Sequence, residues 1–156
     1  MPGKYMVIYD SYISINEALR HAAAHLGLAV KIKYVDSSLF EENPGFMEEE
    51  LSKVDGILLT PGFGTRGVEG MIQTARYALE NDKVFLGICF GAQLLFVAYC
   101  RYMLGLSGAN SSEVDPSTPH PVVDLLPEQK AVKMKGGTMR LGAHSIYIRK
   151  GTSLYE

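Results

Sequence analysis

The sequence predicts an α/β fold, a mostly parallel sheet flanked by helices. Three observations predict it: apolar runs of strand length without polar alternation, helical periodicities between them, and glycine-rich turns where runs end. On pattern alone, Tyr5 to Tyr9 reads as a first short strand. Ser14 and Glu17 have capping-box spacing, and Ile15, Ala18, Leu19, Ala22 and Leu26 then recur at helical spacing until Gly27. Val30, Ile32 and Tyr34 alternate with lysines and alanine, which predicts a short strand. "DSSLFEENPG" reads as loop and "FMEEELSKVD" as a short acidic helix. Gly56 to Leu59 is a buried-strand run, and Val68 to Glu80 is helical through Met71, Ile72, Ala75, Ala78 and Leu79. Val84 to Ile88 predicts a second buried strand, and a helix from Ala92 to about Leu104 follows. In such sheets ligands bind beyond the carboxyl ends of the strands, so the loops after Leu59 and after Ile88 are the places to look.

Composition narrows the class of protein. At 156 residues and 47% hydrophobic, the chain predicts one globular domain spanning 1–156 with a single core. The formal net charge is −2 with no run of like charges, which excludes the electrostatic footprint of a nucleic-acid or anionic-membrane partner. No apolar span approaches twenty residues and no basic-then-apolar leader is present, so the expectation is a soluble cytoplasmic protein. Cys89 and Cys100 are too few for a disulfide framework and lack metal-site spacing, and no metal is expected.

"LLTPGFGTRGVEG" (58–70) carries the GxGxxG spacing at Gly62, Gly64 and Gly67. A dinucleotide loop needs an acidic residue about twenty positions onward, at the end of the next strand, to take the ribose hydroxyls. The next strand ends instead at Gly87, Ile88 and Cys89. A GxxxxGK[ST] phosphate loop is excluded as well, because no Lys-Ser or Lys-Thr follows the glycines.

"VFLGICFGAQ" is more informative: a strand, then Gly87-x-Cys89-x-Gly91, then a helix, the layout of a nucleophile elbow with sulfur in place of oxygen. Small flanking residues permit the sharp turn, and the helix N-terminus favours the thiolate that attacks. The implied chemistry is acyl transfer. The N–H of Phe90 is a natural oxyanion donor, and one from the Gly62 region could be the second. The plainer alternative is an ordinary buried cysteine in a tight turn.

"GICFGAQ" resembles the elbow of class I (triad) glutamine amidotransferases, whose fold is a flavodoxin-like three-layer α/β sandwich. Within that family "GKYMVIYDSYISINEALRHA" (3–22), "DGILLTPGFGTRGVEGMI" (55–72), "LGICFGAQLLFVAY" (86–99), "ANSSEVDPSTPHPVVDLLPEQ" (109–129) and "GGTMRLG" (136–142) resemble the glutaminase domains of CTP synthases. "SSEVDP" and "GGTMRLG" are the most specific of these. The resemblance implies that Cys89 attacks the side-chain amide of L-glutamine, giving a glutamyl thioester and ammonia. It implies an oxyanion hole at Gly62 and Phe90, and glutamine-binding roles for Phe63, Gln93 and Glu113, the last suited to the α-ammonium. Arg66 and Glu69 would belong to a lid, Phe63 to Gly70, that couples hydrolysis to the allosteric activator GTP. The domain itself would need no cofactor. Ammonia would pass to a synthetase domain of the same full-length chain, where ATP and Mg2+ serve amination of UTP to CTP in a homotetramer.

The chain departs from the family pattern in several places. The family's Pro-Gly-Gly-Phe-Gly is Thr60-Pro61-Gly62-Phe63-Gly64, and a proline cannot donate at position 61, so Gly62 must serve. The usual lysine after "RGVEG" is Met71. The family's catalytic His-x-Glu does not occur among the 156 residues, so the domain is expected to be incomplete at both ends relative to the family, whose first core strand precedes "GKY". The resemblance therefore puts Tyr5 to Tyr9 in a loop. Of the four histidines, His120 and His144 are candidate substitute bases that read as loop or surface residues, and His21 and His25 read as helix surface. Cys100 reads as a core residue, and Glu48 to Glu50 as a solvated face. Two other functions remain open: a truncated, non-catalytic amidotransferase-like binding module, and another cysteine hydrolase on the same scaffold.

Overall fold

The structure is a computed structural model that describes residues 1–126, 145–152 and 155. Two compact units divide the chain, Met1–Asp124 and Leu125–Glu156. In the second, Thr152 closes a turn by donating its hydroxyl to the Arg149 carbonyl at 2.8 Å and accepting from the Tyr155 N–H at 2.8 Å. The "GGTMRLG" segment and His144 lie outside the described residues.

The first unit is α/β with parallel strand pairing throughout. Strand β1 (Pro2–Gly3) pairs with β2 (Val35–Asp36), β3 (Gly56–Leu59) with β4 (Val84–Gly87), and β5 (Asn110–Ser111) with β6 (Pro121–Val123). The Thr60 N–H donates to the Pro2 carbonyl at 3.4 Å and so lays β1 along β3. Helices α1 (Ile13–His25), α2 (Ser38–Glu42), α3 (Pro44–Ser52), α4 (Val68–Glu80) and α5 (Phe90–Ala98) alternate with the strands, and α5 runs on into a π-helical turn, Tyr99–Met103.

Helix α4 shows why the core forms where it does. Val68, Met71, Ile72 and Ala75 recur on one face and are buried. They meet Leu59 of β3 and Leu94, Val97 and Ala98 of α5 in the larger apolar cluster. A second cluster joins Val35, Phe40, Met47, Leu51 and Ile57 with Ala78 of α4. Leu59 is wholly buried, and truncating such a leucine to alanine costs about 2–5 kcal/mol. This central strand holds the following loop in place.

Several expectations are corrected. Val30 to Tyr34 is not a strand: Val30 and Tyr34 are exposed, and only Val35 and Asp36 find ladder partners, in the two residues of β1. Tyr5 to Tyr9 is not one either. A loop there runs into a 3-10 turn, Tyr9–Tyr12, as the resemblance implied. That turn starts α1 at Ile13, so Ser14 falls inside the helix, no side chain caps it, and Glu17 pairs with Arg20 instead. At its other end α1 closes in a Schellman motif, Gly27 adopting φ +67° while the Leu28 N–H reaches the Ala23 carbonyl at 2.8 Å. The "DSSLFEENPG" loop contains α2, because Phe40 supplies an anchor only 1% exposed and Asp36 accepts from the Ser38 N–H at 2.9 Å. Strand β4 is not buried on both faces: Val84 and Leu86 point outward. Glu50 is not solvated but buried, paired with Lys33 and Lys53.

Candidate active site

Leu59 and Gly87 sit opposite each other at the ends of β3 and β4, so the loops that leave the two strands emerge side by side. Beyond β4 the chain enters α5 after only Ile88 and Cys89. Cys89 takes φ +53° and ψ −112°, a conformation that costs an L residue about 1–3 kcal/mol. Its neighbours make the turn possible. A Cβ on Gly87 would stand 2.6 Å from the Ala92 nitrogen, and one on Gly91 would stand 2.8 Å from the Leu59 carbonyl carbon. The tight turn leaves Cys89 exposed at the mouth of the helix. In the first turn of α5 the Gly91 N–H donates to Ile88, and those of Ala92 and Gln93 donate to Cys89. The Phe90 N–H, on the residue after the thiol, has no acceptor among the described residues.

The loop after β3 is held from the N-terminal segment. Tyr12 donates its hydroxyl to the Pro61 carbonyl at 3.2 Å, which fixes the peptide plane whose N–H belongs to Gly62. Tyr5 accepts from the Phe63 N–H at 3.1 Å, so that amide is already occupied. The Lys4 ammonium donates to the Phe63 carbonyl at 3.3 Å and to the Gly64 carbonyl, and lies 4.6 Å from the centre of the Phe90 ring. Lys4 is 2% exposed, and its stem packs against Gly62, where a Cβ would stand 3.1 Å from Lys4 Cδ. Burial first, then the nearby Arg66 charge, lower its pKa to about 8, against a smaller opposing effect of Glu41.

The remaining expected residues fall around these two loops. Phe63 projects its ring into solvent at 83% exposure. Gln93 is partly buried one helical turn after Cys89. Glu113 is exposed just past β5, which packs on α5, and its N–H donates to Ser111 Oγ at 3.3 Å. Arg66 is engaged away from the thiol, by Asp36 at 2.9 Å, Ser38 at 2.7 Å and the Lys4 carbonyl. Although partial burial raises the Asp36 pKa, the Ser38 and Arg66 hydrogen bonds outweigh it and hold the carboxyl below its usual range. Glu69 pairs with Arg101 at 2.8 Å and lines an open polar cleft of about 460 Å³ with Tyr102, Asn110 and Asp115. His21, His25 and His120 are exposed, and Cys100 is buried in the core. Among the described residues no helix is long and apolar enough to cross a membrane.

Sequence reasoning missed Lys4, Tyr5 and Tyr12 as parts of this site. Their partners lie 49 to 60 positions away, and no local periodicity encodes contacts at that separation.

The class I glutamine amidotransferase profile matches residues 7–155. A CTP synthase of Methanopyrus kandleri is 55% identical over 152 residues, 97% of this chain and 28% of the relative. One of Pyrococcus abyssi is 53% identical over 154 residues, 99% of this chain and again 28% of the relative. The chain thus spans under a third of the length of the curated relatives it matches. Among solved structures, the Trypanosoma brucei CTPS glutaminase domain with bound acivicin superposes with a TM-score of 0.75 at 33% identity, covering 82% of this chain and 49% of that one.

Proposed function

The chain belongs to the class I glutamine amidotransferases, and from that membership we propose that it is the glutamine-hydrolysing domain of a CTP synthase. One observation carries the chemical part of this reading. Cys89 is exposed on a strained strand-to-helix turn, and the N–H of the next residue has no acceptor among the described residues. Strain of this kind persists where surrounding packing enforces it, here at the one thiol exposed at a strand's carboxyl end.

The mechanism proposed is thioester catalysis. The Cys89 thiolate attacks the carboxamide carbon of glutamine, and the carbonyl oxygen takes up negative charge. The N–H groups of Gly62 and Phe90 stabilise that charge, each such donor being worth roughly a hundredfold or more in rate. Collapse expels ammonia with a proton, leaving a γ-glutamyl thioester that water hydrolyses to glutamate. Gln93 and Phe63 shape the pocket, and Glu113 pairs with the substrate ammonium. The proton transfers are assigned to a His-x-Glu pair in the rest of such a protein, since the three described histidines are exposed and none contacts Cys89 among the hydrogen bonds of the described residues.

The proposal extends to the whole enzyme. Ammonia goes to a synthetase domain that uses ATP and Mg2+ to aminate UTP, in a cytoplasmic homotetramer, with GTP acting through the segment that carries Arg66 and the first turn of α4 that carries Glu69. Calorimetric titration tests the pocket: L-glutamine should bind, whereas L-asparagine, one methylene shorter, should not. Equal binding of the two, or of neither, would contradict the reading.

A further inference from the structure

We infer that Lys4 is a positioning residue for the oxyanion hole, holding the Gly62 and Phe90 N–H groups toward one shared oxygen. The inference rests on the amidotransferase reading and adds to it a residue that makes no contact with substrate. Lys4 touches both halves of the proposed hole. Its stem lies against Gly62, its ammonium donates to the carbonyls of Phe63 and Gly64, and the same ammonium faces the ring of Phe90. Those two donors sit on different elements, the loop after β3 and the start of α5, 28 residues apart in sequence, and their convergence needs something that spans both.

The chemistry of the contacts argues for a clamp and not for a passive buried stem. Burying an ammonium is costly unless its donors are used. Lys4 spends them on two backbone carbonyls of adjacent peptides; no carboxylate accepts from it among the described hydrogen bonds. Charged donors to carbonyls are roughly twice as strong as neutral ones, and a cation over an aromatic face is a further attraction. Tyr12 fixes the Pro61–Gly62 peptide through the Pro61 carbonyl, and Lys4 fixes the two peptides that carry the Phe63 and Gly64 carbonyls. A methionine could fill the same space but could not hold the carbonyls.

The groups that face the ammonium are Arg66 on the loop after β3 and Glu41 on α2, with the Tyr5 phenol on the same Phe63 carbonyl. Asp36 reaches it only through Arg66. All of these are common to the wild type and a Lys4 variant, so their titrations cancel when the two proteins are compared.

The test uses the chain as it stands and two ligands. L-Glutamate γ-semialdehyde adds to Cys89, sulfur to the aldehyde carbon and the thiol proton to oxygen, so the adduct places a tetrahedral oxygen in the hole. L-Glutamine binding reports the ground state. In Lys4→Met the semialdehyde should bind at least tenfold more weakly, with glutamine changed less than twofold. The ratio of wild-type to variant semialdehyde affinity should fall toward one between pH 7 and 9.5, as the wild type loses its own charge. Opening of the semialdehyde from its cyclic imine cancels in that ratio. Should Lys4→Met fail to fold, Lys4→Gln, which keeps an uncharged NH2 donor, should show the same selective loss. Equal weakening of both ligands, no weakening, or a pH-independent ratio would overturn the clamp. A wild type that binds glutamine yet forms no adduct overturns the assignment of Cys89 and the clamp with it, whereas a selective-loss failure in a protein that forms the adduct overturns the clamp alone.

Discussion

Gly91 packs against the main chain of Leu59 so closely that a Cβ there would stand 2.8 Å from the Leu59 carbonyl carbon. The elbow helix and the central strand therefore meet backbone to backbone. Gly91→Ala should lower stability by about 1–3 kcal/mol despite alanine's better helix propensity, since the collision is with carbonyl atoms that cannot rotate away. Urea unfolding measures it, and an unchanged midpoint would contradict the packing described.

Backbone strain at Cys89 predicts a trade between stability and reactivity. Cys89→Gly should raise stability by about 1 kcal/mol, because glycine adopts φ +53° at little cost. Cys89→Ala should leave stability near that of the wild type. Both should lose all covalent glutamyl adducts. Thermal melts that place the glycine variant below the wild type would remove the argument from strain.

Glu113 is assigned to the substrate ammonium, so Glu113→Ala should weaken L-glutamine binding tenfold or more, the loss expected when a charged group is left without its partner. Glu113→Gln should fall between the two. Titration calorimetry that finds the alanine variant unchanged would take Glu113 out of the pocket.

Lys4 predicts a pH dependence with a definite sign. Its folded-state pKa of about 8 lies below the ordinary lysine value of 10.5, so between those values the unfolded chain holds a proton that the folded chain has released. Its contribution to stability therefore rises with pH across that window and is flat below about 8. The wild-type stability minus that of Lys4→Met should climb from pH 8 toward pH 10.5 in urea titrations. A difference that falls over the same range would contradict the buried ammonium.

Legibility in the sequence followed locality. Strand β3, helix α4 and the elbow are readable because their signals are local: a four-residue apolar run, a 3.6-residue period, and glycines two positions either side of Cys89. The Val30 to Tyr34 run alternates as a strand should, yet strand formation depends on a neighbour, and β1 pairs with only two residues. Strands β5 and β6 are too short to carry a period. Ser14 and Glu17 had capping spacing, but the preceding 3-10 turn moved the start of the helix ahead of them. Cys89 could be singled out because its function needs its immediate neighbours. Lys4 could not, because the carbonyls it donates to lie 59 and 60 residues away.

The central claim is that Cys89 is an amidotransferase nucleophile set in a glutamine pocket. Intact-mass labelling of the 156-residue chain with a glutamine-analogue chloroketone, with and without excess L-glutamine, tests it most directly. One label per chain, located at Cys89, absent from Cys100 and suppressed by glutamine, is the predicted result. Labelling that glutamine does not suppress, or that appears only after denaturation, would contradict it.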